Sequence, residues 1–343
     1  MIHANSSRPR FVLAILLGGM AMFHFSGCQM PESSPKEEPK GQPKDEPKRD
    51  QFAEDRAPND PKAIPFDGKR AMGYLKDLCA IGPRISGSVG MEKQRELIKK
   101  HFEAFGAKVT LQKFDGKQPS QKDAVPMVNL IISWRPEAKK RVMFAGHYDT
   151  RPIADQELLE RDWTKPFVSA NDGTSTTAWM MELAHHIKDL DLKVGLDFVI
   201  FDGEEFMFNP KRDRFFLGSI YFADDYKKNP PAHRYIAAVL LDLFAGKDAT
   251  FPIEVHSYFN AAEVVDSIWK EAEKQGVKSF LYQRGHEVLD DHIALQKIGI
   301  PAIDIIDFDY PHWHKLTDLP ENCSGEKMAE VAKVLTAWIQ RLK

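Results

Sequence analysis

The sequence predicts an α/β fold: three layers, with a central, mostly parallel or mixed sheet covered by helices on both faces. Three observations carry this. Short uninterrupted apolar runs recur between residues 129 and 306, as expected of strands buried on both faces. Stretches with helical spacing fall between them. Segments rich in Asp, Glu or His follow the apolar runs directly, at the strand ends where α/β sheets build their sites.

The chain has 343 residues, 43% of them hydrophobic and 28% charged, which suffices for a sizeable core. Lys and Arg total 47 against 50 Asp and Glu, a formal net charge of −3. Without a basic excess the composition gives no reason to expect nucleic acid as a partner. Three cysteines exclude a disulfide scaffold.

Residues 1–28 read as an export signal. Arg8 and Arg10 precede an apolar run from Phe11 to Phe25, and Ser26-Gly27-Cys28 follows. The Cys after Ser-Gly resembles the cleavage box of bacterial lipoproteins, although Phe25 stands where that box usually has an aliphatic residue. The resemblance implies a lipid anchor at Cys28 and a membrane partner. It also implies export to a bacterial cell envelope, with the folded domain outside the cytoplasm. An ordinary cleaved signal and a short anchored helix are the alternatives. Residues 29–63 are a disordered tether. Pro35-Lys36, Pro39-Lys40, Pro43-Lys44 and Pro47-Lys48 alternate with acids, and almost nothing is apolar. Such a segment buries too little surface to offset its ordering entropy and acts as an extended spacer.

Residues 64–343 contain no second linker and form one domain. Leu97–Phe105 has helical spacing and stops at Gly106, and Lys108–Phe114 alternates as a strand does. Asn129–Trp134, Arg141–Ala145, Leu196–Phe201, Ile236–Leu241 and Ile300–Ile306 are apolar, strand-like runs. Thr176–Ile187 reads as a helix entered through an Asn171-Asp172-Gly173 turn. Phe259–Gln275 and Gly325–Leu342 read as amphipathic helices.

The chemistry lies at the ends of these runs. Val142–Ala145 leads into His147-Tyr148-Asp149, Phe198–Phe201 into Asp202-Gly203-Glu204-Glu205, and Ala238–Leu241 into Asp242. Ile303–Ile306 leads, after a loop, into Trp313-His314. Taken singly, such residues are usually caps, turns or solvated acids. As an ordered set beside buried strands they need partners or a metal. A catalytic zinc takes three His, Asp or Glu ligands and keeps one position open. In the Glu204-Glu205 pair, with Gly203 turning the chain, one Glu can ligate while the other serves as general base. His185-His186 are adjacent on a helix and do not face one ion together. Cys79 and Cys323 are either free or bridged in an oxidising compartment.

These residues in this order resemble the superfamily of zinc aminopeptidases and glutaminyl cyclases, from Ile81-Gly82-Pro83-Arg84 to the C-terminal helix. Two branches compete. The likeness to two-zinc exo-aminopeptidases implies ligands at His147, Asp172, Glu205, Asp242 and His314, with Glu204 as base. The likeness to animal-type glutaminyl cyclases implies one zinc per chain held by Asp172, Glu205 and His314. There Glu204, Asp242 and Asp290 are catalytic and Trp313 contacts the substrate, the N-terminal Gln of a peptide or protein, which becomes pyroglutamate as ammonia leaves. Three features favour the cyclase: the long loop Phe206–Phe216, an Asp at position 290 where peptidases commonly have Ser, and Trp313 before His314. In this reading His147 packs behind the site instead of binding a second metal. For Asp242 and Asp290 plain structural hydrogen bonding is the rival role, and for Trp313 a place in the core. The chain departs from the animal cyclases in three places. Asn209-Pro210 stands where they carry a loop tryptophan, their cysteine pair is missing, and Asp304 replaces a core histidine. An inactive surface-binding domain is a third reading, disfavoured by the intact Glu204 and ligand set.

Overall fold

The computed structural model describes residues 61–343; the export signal, its Cys28 and the tether through residue 60 lie outside the described residues. The first helix, α1 (Gly68–Cys79), opens on Asp67, whose side chain accepts from the Arg70 N–H at 3.0 Å. That bond satisfies one of the free donors of the first turn. Its Ala71, Leu75 and Leu78 are buried on one stripe. α2 (Val89–Ala104) opens on Ser88, which accepts from the Met91 N–H at 3.1 Å. It therefore starts well before the expected Leu97. Buried Gln94 and exposed Val89 had blurred the apolar period there.

The chain continues through β1 (Lys108–Gly116), β2 (Val125–Trp134), β3 (Lys140–His147), α3 (Ser175–Leu183) and β4 (Gly195–Phe201). Then come α4 (Leu217–Lys228), β5 (Arg234–Asp242), β6 (Phe251–Ile253), α5 (Val255–Asn260) and α6 (Ala262–Lys274). It ends with β7 (Phe280–Arg284), α7 (His292–Lys297), β8 (Ala302–Ile306) and α8 (Gly325–Arg341). Six strands form a mixed sheet in the order β1-β2-β4-β3-β5-β8. The pairs β1–β2 and β2–β4 are antiparallel, while β4, β3, β5 and β8 run parallel. Alternate residues of a strand face opposite sides. Val142 and Phe144 accordingly join Trp179 and Trp338 in the core beneath α3 and α8. Met143 and Ala145 join Phe222 of α4 and Leu295 of α7 on the other face. The three-layer expectation holds.

Two helices differ from expectation. The predicted Thr176–Ile187 helix ends at Leu183, and the chain tightens into a 3-10 turn at Ile187–Asp189. The predicted Phe259–Gln275 helix is two helices, α5 and α6, broken where Ala261 leaves helical geometry at φ −145°. α5 is instead capped from upstream by Glu254, which accepts from the His256 and Ser257 N–H groups at 2.8 and 2.6 Å. Cys79 and Cys323 are both free and buried.

Candidate active site

Parallel strands bring their C-terminal ends to one edge of the sheet. β3 ends on His147 and β5 on Asp242, and β4 runs directly into Asp202-Gly203-Glu204-Glu205. Gly203 has φ +71°, so the chain turns there as the Asp-Gly-Glu-Glu run implied. Asp172 sits before α3 on a kink (φ −79°, ψ 103°), followed by Gly173 at φ +76°. A Cβ on Gly173 would lie 2.6 Å from the His147 ring, so the kink and the close approach both require glycine. His314 itself has φ +52°, a sparsely populated conformation for a non-glycine residue.

All seven predicted site residues, Glu204, Asp242, Asp290, Asp172, Glu205, His314 and Trp313, line one cavity of about 280 Å³. Phe215, Phe216, Leu289 and Phe308 supply apolar wall. Asn209 and Pro210 do not line it; the same loop contributes Phe215 and Phe216 instead. Trp313 packs on Phe308 and against the His314 ring. His147 is buried behind this wall, its Nε2 3.1 Å from Asp172 and 3.4 Å from Asp242. Asp304 lies fully buried on β8 with both carboxylate oxygens unpartnered. His185 and His186 bond separately to Tyr74 and Glu182, away from any shared ion.

Two overlapping groups of donor atoms are drawn together. Those of Asp172, Glu205 and His314 lie within 4.8 Å of one another, as do those of His147, Asp172 and Asp242. Oδ2 of Asp172, Oε2 of Glu205 and Oδ1 of Asp242 are buried without a hydrogen-bond partner. Unpaired buried carboxylate oxygens are costly, and a divalent cation with oxygen and imidazole ligands would satisfy them. The donor set thus fits zinc.

The electrostatics follow from this crowding. Burial and the neighbouring Glu205 charge push Asp172 up to about 6. Burial, with Asp242 and Asp291, holds Asp290 well above the usual carboxylate range. Burial does the same to Glu204, opposed by His147. His314 rises to about 9, because Glu205 at 2.6 Å and Asp155 outweigh its burial.

Three carboxylates missed in the sequence brace the candidate ligands. Asp318 accepts from the N–H groups of Asn171 and Asp172 at 2.9 and 3.1 Å. Asp149 accepts from those of Glu204 and Glu205 at 3.2 and 3.0 Å. Asp155 accepts from the His314 ring at 3.0 Å. Asp149, two residues beyond His147 at a strand end, carried the same signal as the ligands; the other two lie in loops with no such mark.

Residues 129–339 match the model of peptidase family M28. A glutaminyl cyclase structure from Fimbriiglobus ruber is 50% identical, covering 82% of this chain and 97% of its own, with a TM-score of 0.81. A Zn-dependent exopeptidase from Parabacteroides distasonis is 29% identical, covering 82% of this chain and all of its own, with a TM-score of 0.76. Among animal proteins, the glutaminyl-peptide cyclotransferase of Bothrops jararaca is 26% identical over 75% of this chain and 76% of its own. The expected cyclase likeness therefore holds, and it is higher toward the bacterial enzyme than toward the animal one. With the sheet order, the strand-end acids and the donor set all in place, the chain belongs to peptidase family M28.

Proposed function

We propose that the protein is a zinc-dependent glutaminyl-peptide cyclotransferase that converts the N-terminal Gln of peptides or proteins into pyroglutamate. The observation that carries this is Asp290. It lines the cavity with Asp242, and burial, then that neighbour's charge, raises its carboxyl well above the usual carboxylate range. Two close carboxylates sharing a proton suit a site with one metal. A second zinc on Asp242 would need that carboxylate ionised and free.

Asp172, Glu205 and His314 would hold the zinc, which supplies Lewis-acid polarisation of the substrate γ-carbonyl. Glu204 takes a proton from the attacking α-amine and returns it to the departing nitrogen. The new bond joins the α-nitrogen to the γ-carbonyl carbon, the old carbon–amide nitrogen bond breaks, and ammonia leaves. The Asp242–Asp290 pair donates a hydrogen bond to the amide as charge develops. Trp313 and Phe308 close the apolar wall and exclude water, whose attack would give Glu instead of a ring. The group formed by His147, Asp172 and Asp242 favours the alternative, a two-zinc aminopeptidase in which Glu204 activates water.

The test compares a Gln-initiated with a Leu-initiated peptide and counts zinc per chain. Cyclisation with ammonia release from the first alone, at one zinc per chain, is expected. Free Leu released at a rate requiring two zincs would overturn the reading. The mature chain is further proposed to begin at a lipidated Cys28 and to sit in the cell envelope. Cys28→Ala should then leave the membrane fraction or remain unprocessed. An unmodified N-terminus beyond residue 28, found by mass spectrometry, would exclude the anchor.

A further inference from the structure

A buried pair outside the predicted set touches two of the three ligands. Arg151 is 2% exposed, and it and Asp155 lie on the loop after β3. Arg151 donates to both Asp155 oxygens, through Nε at 3.0 Å and Nη2 at 2.8 Å. Its remaining nitrogen, Nη1, donates to Oε1 of Glu205 at 3.2 Å. Asp155 Oδ1 meets Nδ1 of His314 at 3.0 Å. The guanidinium is fixed from the other sides by Met207 Sδ at 3.4 Å and by the Phe215 ring at 5.2 Å.

Each of these ligands offers two atoms, and a metal needs one chosen. An imidazole held at one nitrogen by a carboxylate presents the other. A carboxylate whose first oxygen is taken by arginine has its second left over, and Oε2 of Glu205 is buried and unpartnered. We infer that Arg151 and Asp155 are one positioning unit for the metal site: Asp155 turns Nε2 of His314 toward it, and Arg151 holds Glu205 through Oε1, the oxygen 2.6 Å from that Nε2, with Oε2 left unpartnered. The loop is clamped to the His314 turn as well, by the Gln156 N–H to the His314 carbonyl at 3.3 Å and the Leu316 N–H to Glu157 at 2.9 Å. These bonds hold His314 at its positive φ. A surface ion pair would not explain why one arginine spends its three nitrogens on two carboxylates that both reach the metal set.

This rests on the zinc reading of Asp172, Glu205 and His314, so the test measures zinc affinity and not turnover. Zn²⁺ is titrated against a colorimetric chelator of known affinity for the wild type, Asp155→Ala, Arg151→Lys and the double variant. Melting of the chelator-treated proteins checks folding, and Asp155→Asn, nearly isosteric, replaces Asp155→Ala if that variant does not fold. Each single substitution should weaken zinc binding about 10–100-fold. The double variant should be no weaker than the worse single one, because the pair acts as a unit. Asp155→Glu should recover part of the affinity. Unchanged zinc affinity in the single variants, or losses that multiply in the double, would overturn the inference. A wild type that binds no zinc would instead sink the underlying metal assignment.

Discussion

Glu204 and Glu205 are adjacent in sequence and opposite in circumstance. Glu205 is held at about 2, since His314 and Arg151 outweigh its burial. Glu204 has no arginine hydrogen-bonded to it, and burial keeps its carboxyl high. The neighbours of one favour its anion; the surroundings of the other favour a proton. Glu204→Gln preserves shape and removes that exchange. It should retain zinc and melting temperature while kcat for a Gln-peptide falls by about 10²–10⁴ with little change in KM. Turnover within tenfold of the wild type, followed by ammonia release, would remove Glu204 from the mechanism. The positions of the proposed ligands were legible in the sequence because acids and histidines recur there as an ordered set, each beside an apolar strand, which caps and turns alone do not explain. Arg151, Asp155 and Asp318 were not, since an acid or arginine in a loop looks the same whether it caps a turn or braces a ligand. Only the fold brings Asp155 to His314, 159 residues away.

Strands were more legible than helices, because an apolar run between polar turns needs no period to be seen. α1, α4, α7 and the small pair β6–β7 were missed. α4 starts directly after Phe216 at φ +66°, and no side chain caps it. α7 has only six residues, too short for a stripe to repeat. The break at Ala261 was invisible as well, since alanine is the strongest helix former and tertiary packing overrode it. Five non-glycine residues among those described have positive φ: Arg135, Ser169, Phe216, Leu243 and His314. The last four flank the site: before Asp172, in the cavity wall, after Asp242, and at His314 itself. Such conformations cost about 1–3 kcal/mol each and persist where surroundings over-determine them. A reader of sequence looks for glycine at such turns and finds none, so the local geometry of the site escapes prediction even where its residues do not.

The molecule as a whole concentrates buried carboxylates at one edge of its sheet, and this governs how stability depends on pH. Burial, helped by neighbouring acids, pushes Asp172 to about 6 and Asp202 and Asp318 to about 7. Each takes up a proton on folding between its ordinary value and its raised one. Their contribution to the stability of the metal-free protein therefore falls as pH rises from about 4 to about 7. His314, held at about 9, acts in the same sense: its contribution is full below its ordinary value and is lost as pH rises through 9. Asp155, Glu205 and Glu254, held at about 2 by His314, Arg151 and His292 against their burial, oppose this only on the acid side. Their contribution is present above their ordinary values and is lost as pH falls toward 2. The chelator-treated protein should thus be most stable near about pH 4. Zinc held as proposed would need these groups deprotonated and would compete with the same protons, so its mass-action stabilisation should grow as pH rises. The gap in melting temperature between zinc-saturated and chelator-treated protein should be small at about pH 5 and widen steadily toward about pH 8. Calorimetry at fixed free zinc across that range measures it. A gap that stays constant would mean that zinc displaces no protons from this cluster, and that its acids are ionised and balanced by other means.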